Sequence, residues 1–125
     1  MENQESCCIS KILKVIDVLQ KECNTECFPE GCNRPFLGSS GLLMFNTRPI
    51  TLYTRSGNIF TVNYYVDNTL NTSSVFRVED VDGCCATLRI LAPSGDTYID
   101  TGEFVTVNLE CFCILRCLND IFLEI

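Results

Sequence analysis

VFRVEDVDGCCATLRIL, residues 75–91, is the stretch on which the fold turns. Val75 to Val81 is rich in β-branched and aromatic residues, and Val81-Asp-Gly-Cys84 carries the Asp-Gly pair typical of a tight hairpin. Cys84-Cys-Ala-Thr-Leu-Arg-Ile-Leu91 then returns as the partner strand. A local hairpin of this kind predicts an antiparallel sheet. Working outward, Ile50-Thr-Leu-Tyr-Thr54 and Ile59-Phe-Thr-Val-Asn-Tyr-Tyr-Val66 read as strands joined by a turn at Arg55-Ser-Gly-Asn58. Leu42-Leu-Met-Phe45 is a shorter β-rich run, and Asp67 to Ser74 reads as a polar excursion. Pro93-Ser-Gly-Asp96 turns the chain, Phe104 to Leu109 alternates as a strand, and Cys111 to Leu118 with Asp120 to Ile125 complete it. The expected fold is mainly β: an antiparallel β-sandwich or barrel of seven to eight strands behind one N-terminal amphipathic helix and a cysteine-rich loop.

The helix is expected over Ser6 to Cys23. Ile9, Ile12, Leu13, Ile16 and Leu19 recur at steps of three and four, with Cys8 and Cys23 extending the stripe, Ser6 as N-cap and Asn24 as stop. Cys23-Asn-Thr-Glu-Cys27-Phe-Pro-Glu-Gly-Cys32 follows, dense in turn formers, as a loop. The chain is read as a single domain, with the helix and cysteine-rich loop over 1–35 and a β domain over 36–125.

Ten cysteines and no histidine in 125 residues demand a chemical reason. They fall in two blocks: Cys7, Cys8, Cys23, Cys27 and Cys32, then Cys84, Cys85, Cys111, Cys113 and Cys117. A chain of this length with 46% hydrophobic residues can build a core without disulfide help. The start, Met1-Glu-Asn-Gln-Glu-Ser-Cys-Cys, lacks the basic and apolar regions of a signal peptide, so the chain reads as made inside a cell. No apolar run is long enough to span a membrane.

Metal binding is disfavoured because the spacings Cys23-x3-Cys27-x4-Cys32 and Cys111-x-Cys113-x3-Cys117 form no paired zinc knuckles, and no Cys-x-x-Cys redox motif is present. Neither a metal nor another cofactor is expected. Without histidine the commonest general base is missing, and Glu79, Asp80 and Asp82 beside a turn read as solvating charge, so no catalytic site is expected. Gly38-Ser-Ser-Gly41 is a turn, and Phe60, Tyr64 and Tyr65 read as core and interface. A net charge of −7 with scattered basic residues argues against nucleic acid as a partner. If the last strand is continuous, Cys111, Cys113 and Cys117 share one face, and Phe112, Ile114 and Leu118 the other. Cys84 and Cys85 point oppositely in a strand, so at least one of them pairs elsewhere. Disulfides, within or between chains, are the chemistry left standing; a soluble disulfide-stabilised or zinc-binding β module acting as a binding domain is the alternative.

Phe76-Arg-Val-Glu79, Cys84-Cys-Ala-Thr-Leu-Arg-Ile-Leu-Ala-Pro93 and Val107-Asn-Leu-Glu-Cys-Phe-Cys-Ile-Leu-Arg-Cys-Leu118 together resemble the cysteine-rich spore coat proteins Y and Z and the related exosporium protein Y of endospore-forming bacilli. The likeness covers most of the second half, and the helical, cysteine-bearing start shares it more weakly. The resemblance implies a structural, non-enzymatic protein. Such a protein would be made in the mother-cell cytoplasm and assemble with itself into a hexagonal lattice at the spore surface. Other coat or exosporium proteins would be its further partners, and disulfides would cross-link the layer. The N-terminal cysteines, on helix and loop, are the expected links between subunits, whereas Cys84, Cys85, Cys111, Cys113 and Cys117 are expected to be intrachain, buried or both.

Overall fold

A computed structural model describes residues 8–22 and 45–125. The expected cap at Ser6 and stop at Asn24, the loop from Cys23 to Cys32, the Gly38–Gly41 turn and Leu42 to Met44 lie outside those residues. Among the described residues one helix, α1 (Cys8–Glu22), precedes seven strands: β1 (Ile50–Thr54), β2 (Val62–Val66), β3 (Thr69–Ser73), β4 (Val75–Asp82), β5 (Cys85–Ser94), β6 (Thr97–Asn108) and β7 (Phe112–Cys117). Five form one sheet in the order β6-β5-β4-β1-β7, and β2 pairs with β3 in a second. All pairings are antiparallel. The mainly β architecture with an N-terminal helix is as the sequence predicts, although the sheets do not close into a barrel.

The quoted hairpin is β4–β5, turning on Gly83 (φ 62) and Cys84, with Asp82 opposite Cys85. A left-handed first turn residue is what glycine supplies without a side-chain clash. Polar Asp67 to Ser74 departs from its reading as an excursion, because Asp67 (φ 50) and Asn68 (φ 67) form a two-residue turn between β2 and β3. Asp and Asn tolerate the left-handed region better than other side-chain-bearing residues, which is why this turn forms without glycine. Strand β2 begins at Val62, and Ile59 makes only an isolated bridge to Tyr53. The expected strand at Asp120 to Ile125 is likewise reduced to a bridge between Thr47 and Ile121.

Successive residues of β4 face opposite ways, and each way leads to a different core. Phe76 and Val78 join Ile50, Leu52, Ala86, Leu88, Ile90 and the α1 residues Ile9, Leu13 and Ile16 in the main cluster. Phe60 stacks on Phe76 (centroids 5.6 Å apart) and meets Phe112 edge-on at 5.0 Å. Val75 and Leu91 face the other way, sealed by Leu123 with Leu118 and Ile121 beside them. Asn46 holds that tail in place, donating from Nδ2 to the Leu123 carbonyl (2.9 Å) and accepting from its N–H (2.8 Å).

The sheet must curl. Four inter-strand spacings of about 4.8 Å would put the edges of a flat five-stranded sheet about 19 Å apart. Yet edge strands β6 and β7 are joined only through the 3-10 turn Leu109–Cys111, a step of at most about 14 Å even if extended. Curling brings the start of β7 toward the end of β6 and makes a concave side for α1.

Helix α1 is pinned at both ends by polar residues that its apolar stripe does not reveal. Ser10 Oγ donates to the Gly83 carbonyl. At the other end Gln20 Nε2 donates to the Val78 carbonyl (2.8 Å) and its Oε1 accepts from the Arg48 N–H (3.1 Å). Glu79 is an extra residue in the β4–β5 ladder, since Val78 pairs with Leu88 and Asp80 with Thr87. A bulge of this kind interrupts ladder bonding, and α1 takes up the carbonyls there: Gln20 that of Val78, and Lys21 Nζ that of Glu79 at 3.2 Å.

Asp17 on the same helix is held above the usual carboxylate range by burial, with the Lys21 ammonium at 3.1 Å opposing the effect. Its Oδ1 is buried without a hydrogen bond. The folded chain therefore holds this proton more tightly than the unfolded one, so the associated stability is present at low pH and lost as pH rises through the folded value. Asp17→Asn is expected to stabilise the protein at pH 7 by about 0.5 kcal/mol, a figure kept small by solvent screening. The gain should vanish near pH 3; thermal unfolding of both proteins at the two pH values checks it.

Candidate functional site

The sulfur chemistry sorts into two kinds of position. Cys8, Cys85, Cys111 and Cys113 are exposed free thiols, whereas Cys84 and Cys117 are half-buried and disulfide-bonded. Cys7, Cys23, Cys27 and Cys32 lie outside the described residues. Of the adjacent pair in the β4–β5 hairpin, then, Cys84 is bonded and Cys85 is free.

The three C-terminal cysteines do not share a face. Cys111 ends the 3-10 turn, which Asn108 caps by accepting from the Glu110 N–H through Oδ1 at 3.0 Å. Thr54 pairs with Phe112 and Tyr53 with Ile114, so Cys113 is a bulged residue; its Sγ donates to the Thr54 carbonyl at 3.4 Å. Beyond the bulge the alternation resumes one residue out of phase, and Leu115 and Cys117 turn in against the main core. Strict alternation holds only in a continuous ladder, and here both ends of the run leave it. Cys8 also departs from its expected place on the buried stripe. It is exposed at the first turn of α1, one turn before half-buried Ile12.

Backbone and side-chain contacts collect the segments that carry the free thiols at one rim. The Leu109 N–H donates to the Cys84 carbonyl at 2.7 Å, which lays the 3-10 turn against the β4–β5 hairpin. Cys85 is in register with Asn108, and the Ser10–Gly83 bond brings the start of α1, with Cys8, to the same place. Arg55 reaches across from the turn after β1, donating from Nε (3.1 Å) and Nη2 (2.7 Å) to the Glu110 carbonyl. Thr54, Arg55, Ser56, Asn108, Glu110 and Cys111 line a shallow recess there. No signal in the spacing of the cysteines could have shown this gathering, because it depends on the register of β5 with β6 and on where α1 docks.

On the opposite face of the sheet lies a charged ladder. Glu79 Oε2 accepts from Arg77 Nη1 (2.6 Å) and Arg89 Nε (2.8 Å), and Arg89 Nη1 reaches Asp100 Oδ2 (2.8 Å). Arg89 also lies 4.6 Å above the Phe104 ring. Burial by itself would lower the Arg89 guanidinium, but its hydrogen bonds to Glu79 and Asp100 outweigh that and raise it. Glu79, read from the sequence as solvating charge, is instead the shared acceptor of two arginines. Among the described residues, no group of three or more His, Cys, Asp or Glu is arranged to hold a metal ion, and no helix is long and apolar enough to cross a membrane.

A family model described as Spore coat protein Z matches residues 1–100. A curated relative, spore coat protein Z of Bacillus subtilis (strain 168), is 29% identical over 140 aligned residues, covering 95% of this chain and 93% of the relative. The family match takes in the start of the chain, where the sequence shows only a weak likeness, and ends before the Val107 to Leu118 run. No solved structure matches.

Proposed function

The chain belongs to the spore coat protein Z family, and we propose that it is a self-assembling structural protein of the endospore outer coat or exosporium basal layer, locked by disulfides between subunits. The spore coat is where its relative's name places that protein. One observation carries the cross-linking: Cys8, Cys85, Cys111 and Cys113 are exposed free thiols, on segments that meet at the β4–β5 hairpin and the 3-10 turn, while the core closes without them. A free cysteine kept for packing would be buried, as this small apolar side chain usually is.

Assembly comes first and covalent bonding second. In this reading the chain is made with reduced thiols in the mother-cell cytoplasm and orders with copies of itself, in a hexameric lattice, and with other coat or exosporium proteins. Thiols held in register then face each other at effective concentrations of about millimolar, and as molecular oxygen takes up the two electrons and two protons released per bond, the disulfides lock a lattice rather than a random gel. The role is architectural, not enzymatic. Cys7, Cys23, Cys27 and Cys32 remain candidate links beside the four exposed thiols.

Electron microscopy combined with reducing and non-reducing electrophoresis tests the reading. The native chain should form ordered sheets or particles and a reducible high-mass ladder. Cys8→Ser, Cys85→Ser, Cys111→Ser and Cys113→Ser combined should still order but dissolve in detergent with the ladder strongly reduced. An unchanged ladder would move the links to the N-terminal block. A native chain that stays monomeric at all concentrations would end the assembly reading.

A further inference from the structure

Cys111-Phe112-Cys113 holds two free thiols separated by a single residue, and both are exposed. Phe112 between them is buried, and its backbone is extended (φ −119, ψ 147). The neighbours of an extended residue project to the side opposite its own side chain, so burying Phe112 turns both sulfurs outward. The Phe112 ring meets Phe60 edge-on in the main core, which anchors the pair from within. Cys111 opens onto the shallow recess it shares with Thr54, Arg55, Ser56, Asn108 and Glu110, within reach of a small disulfide from solvent.

The two thiols are held differently. Cys113 Sγ donates to the Thr54 carbonyl at 3.4 Å, whereas Cys111 ends the 3-10 turn with no such bond among the described residues. Cys111 is therefore the first to attack, and Cys113 follows. Two residues of extended chain span at most about 6.6 to 7.2 Å between Cα atoms, near or beyond the upper end of the roughly 4.4 to 6.8 Å that disulfides bridge. Closing a bond here contracts the chain at Phe112 and takes Cys113 from its carbonyl. The bulge at Cys113, where Thr54 pairs with Phe112 and Tyr53 with Ile114, is the irregularity that lets the chain contract. A disulfide closed against such resistance, and exposed, is a strong oxidant that is readily handed on.

We propose that Cys111 and Cys113 form a redox-active dithiol that takes oxidising equivalents from low-molecular-weight disulfides and passes them to protein thiols. The Cys111 thiolate attacks a disulfide such as oxidised glutathione; a mixed disulfide forms and one glutathione leaves as a thiolate. Cys113 then gives its proton to water and attacks Cys111 Sγ, so the second glutathione leaves and the Cys111–Cys113 bond closes. One disulfide is consumed and one is made, and the two departing thiolates take up the two protons that the cysteines lost. Handing the bond to a pair of protein thiols reverses these steps and restores the dithiol. The activity needs one chain only and goes beyond the assembly reading.

The full chain, purified without reductant and kept free of oxygen, is mixed with oxidised glutathione, quenched with iodoacetamide at intervals, denatured and cleaved with chymotrypsin. Cleavage after Phe112 separates the two cysteines unless a disulfide holds the fragments together. The native chain should yield that linked pair and release two glutathiones per bond, with the adduct on Cys111 only transient. Cys113→Ser should trap glutathione on Cys111, raising the adduct several-fold, and Cys111→Ser should slow glutathione uptake at Cys113 several-fold. In mixtures of reduced and oxidised glutathione the linked pair should be reduced with an equilibrium constant at least ~100-fold above that of the thioredoxin disulfide. The oxidised native chain should speed disulfide formation in a reduced test protein several-fold, an effect both variants lose. Fragments that separate without reductant, or a stable glutathione adduct on native Cys111, overturn the dithiol. A linked pair no more oxidising than that of thioredoxin, with no transfer to the test protein, overturns the activity. Neither result bears on assembly, which ordered sheets and the high-mass ladder report.

Discussion

Alanine in place of Phe76 is expected to lower the stability of the folded chain by about 4 kcal/mol, the middle of the range for removing a buried phenyl ring. Phe76 is fully buried in β4, opposite Ile50 on one side and Ile90 on the other, with Phe60 stacked upon it. Its loss removes transfer energy and leaves a cavity at the meeting point of three strands, where paired ladders on both sides resist collapse. An unfolding entropy of about 2.1 cal/mol/K per residue over a domain of this length turns that loss into a fall in Tm of about 15 °C. Thermal and urea unfolding under non-reducing conditions measure it. Phe76→Leu, which refills most of the space, should lose less than half as much. A loss for the alanine variant below about 1.5 kcal/mol would show that Phe76 is not a centre of the core.

Glu79→Ala should be the next most damaging change, at about 2.5 kcal/mol. Glu79 Oε2 is shared by Arg77 and Arg89, whose side chains are 8% and 16% exposed. Arg89 keeps Asp100 when Glu79 is removed, but Arg77 is left with neutral acceptors, Thr47 Oγ1 at 2.9 Å and the Asn46 carbonyl at 3.1 Å. Leaving a buried cation without its carboxylate typically costs about 3 to 5 kcal/mol, and the partial exposure of Glu79 brings the figure down. Adding Arg77→Met should recover part of the loss, since the stranded charge is then gone. If the double variant is no more stable than Glu79→Ala alone, the ladder does not act through charge.

Which elements could be read in advance follows from how local their causes are. The β4–β5 hairpin declares itself through an Asp-Gly pair between β-rich runs, and α1 through apolar steps of three and four that become Ile9, Leu13, Ile16 and Leu19 in the core. Strand β3 escaped notice because Thr69 to Ser73 is almost wholly polar, the apolar anchor of that hairpin being Tyr64 on β2. The first half of β6 escaped for a similar reason. Gly102 (φ 81) interrupts it, and its strand character comes from pairing with Leu91 to Ser94 rather than from alternation of its own. Ser10 and Gln20 look like surface positions on α1 until the Gly83 and Val78 carbonyls are brought to them.

The amino-acid sequence by itself determined the fold class, the face of α1 that packs, the position of the main hairpin and the prominence of sulfur. Those properties depend on periodicity and turn chemistry within a few residues. Tertiary structure alone decided where each described cysteine is placed. A single bulged residue at Cys113 shifts the alternation of β7, so Cys117 turns into the core while Cys113 stays exposed. The 3-10 turn at Leu109–Cys111 can join the two edges of a five-stranded sheet only if that sheet curls, while the β5–β6 register and the Ser10–Gly83 bond bring the segments carrying Cys8, Cys85 and Cys111 to the hairpin that holds bonded Cys84. Register and curvature are set by contacts between residues far apart in the chain, and no local pattern encodes them.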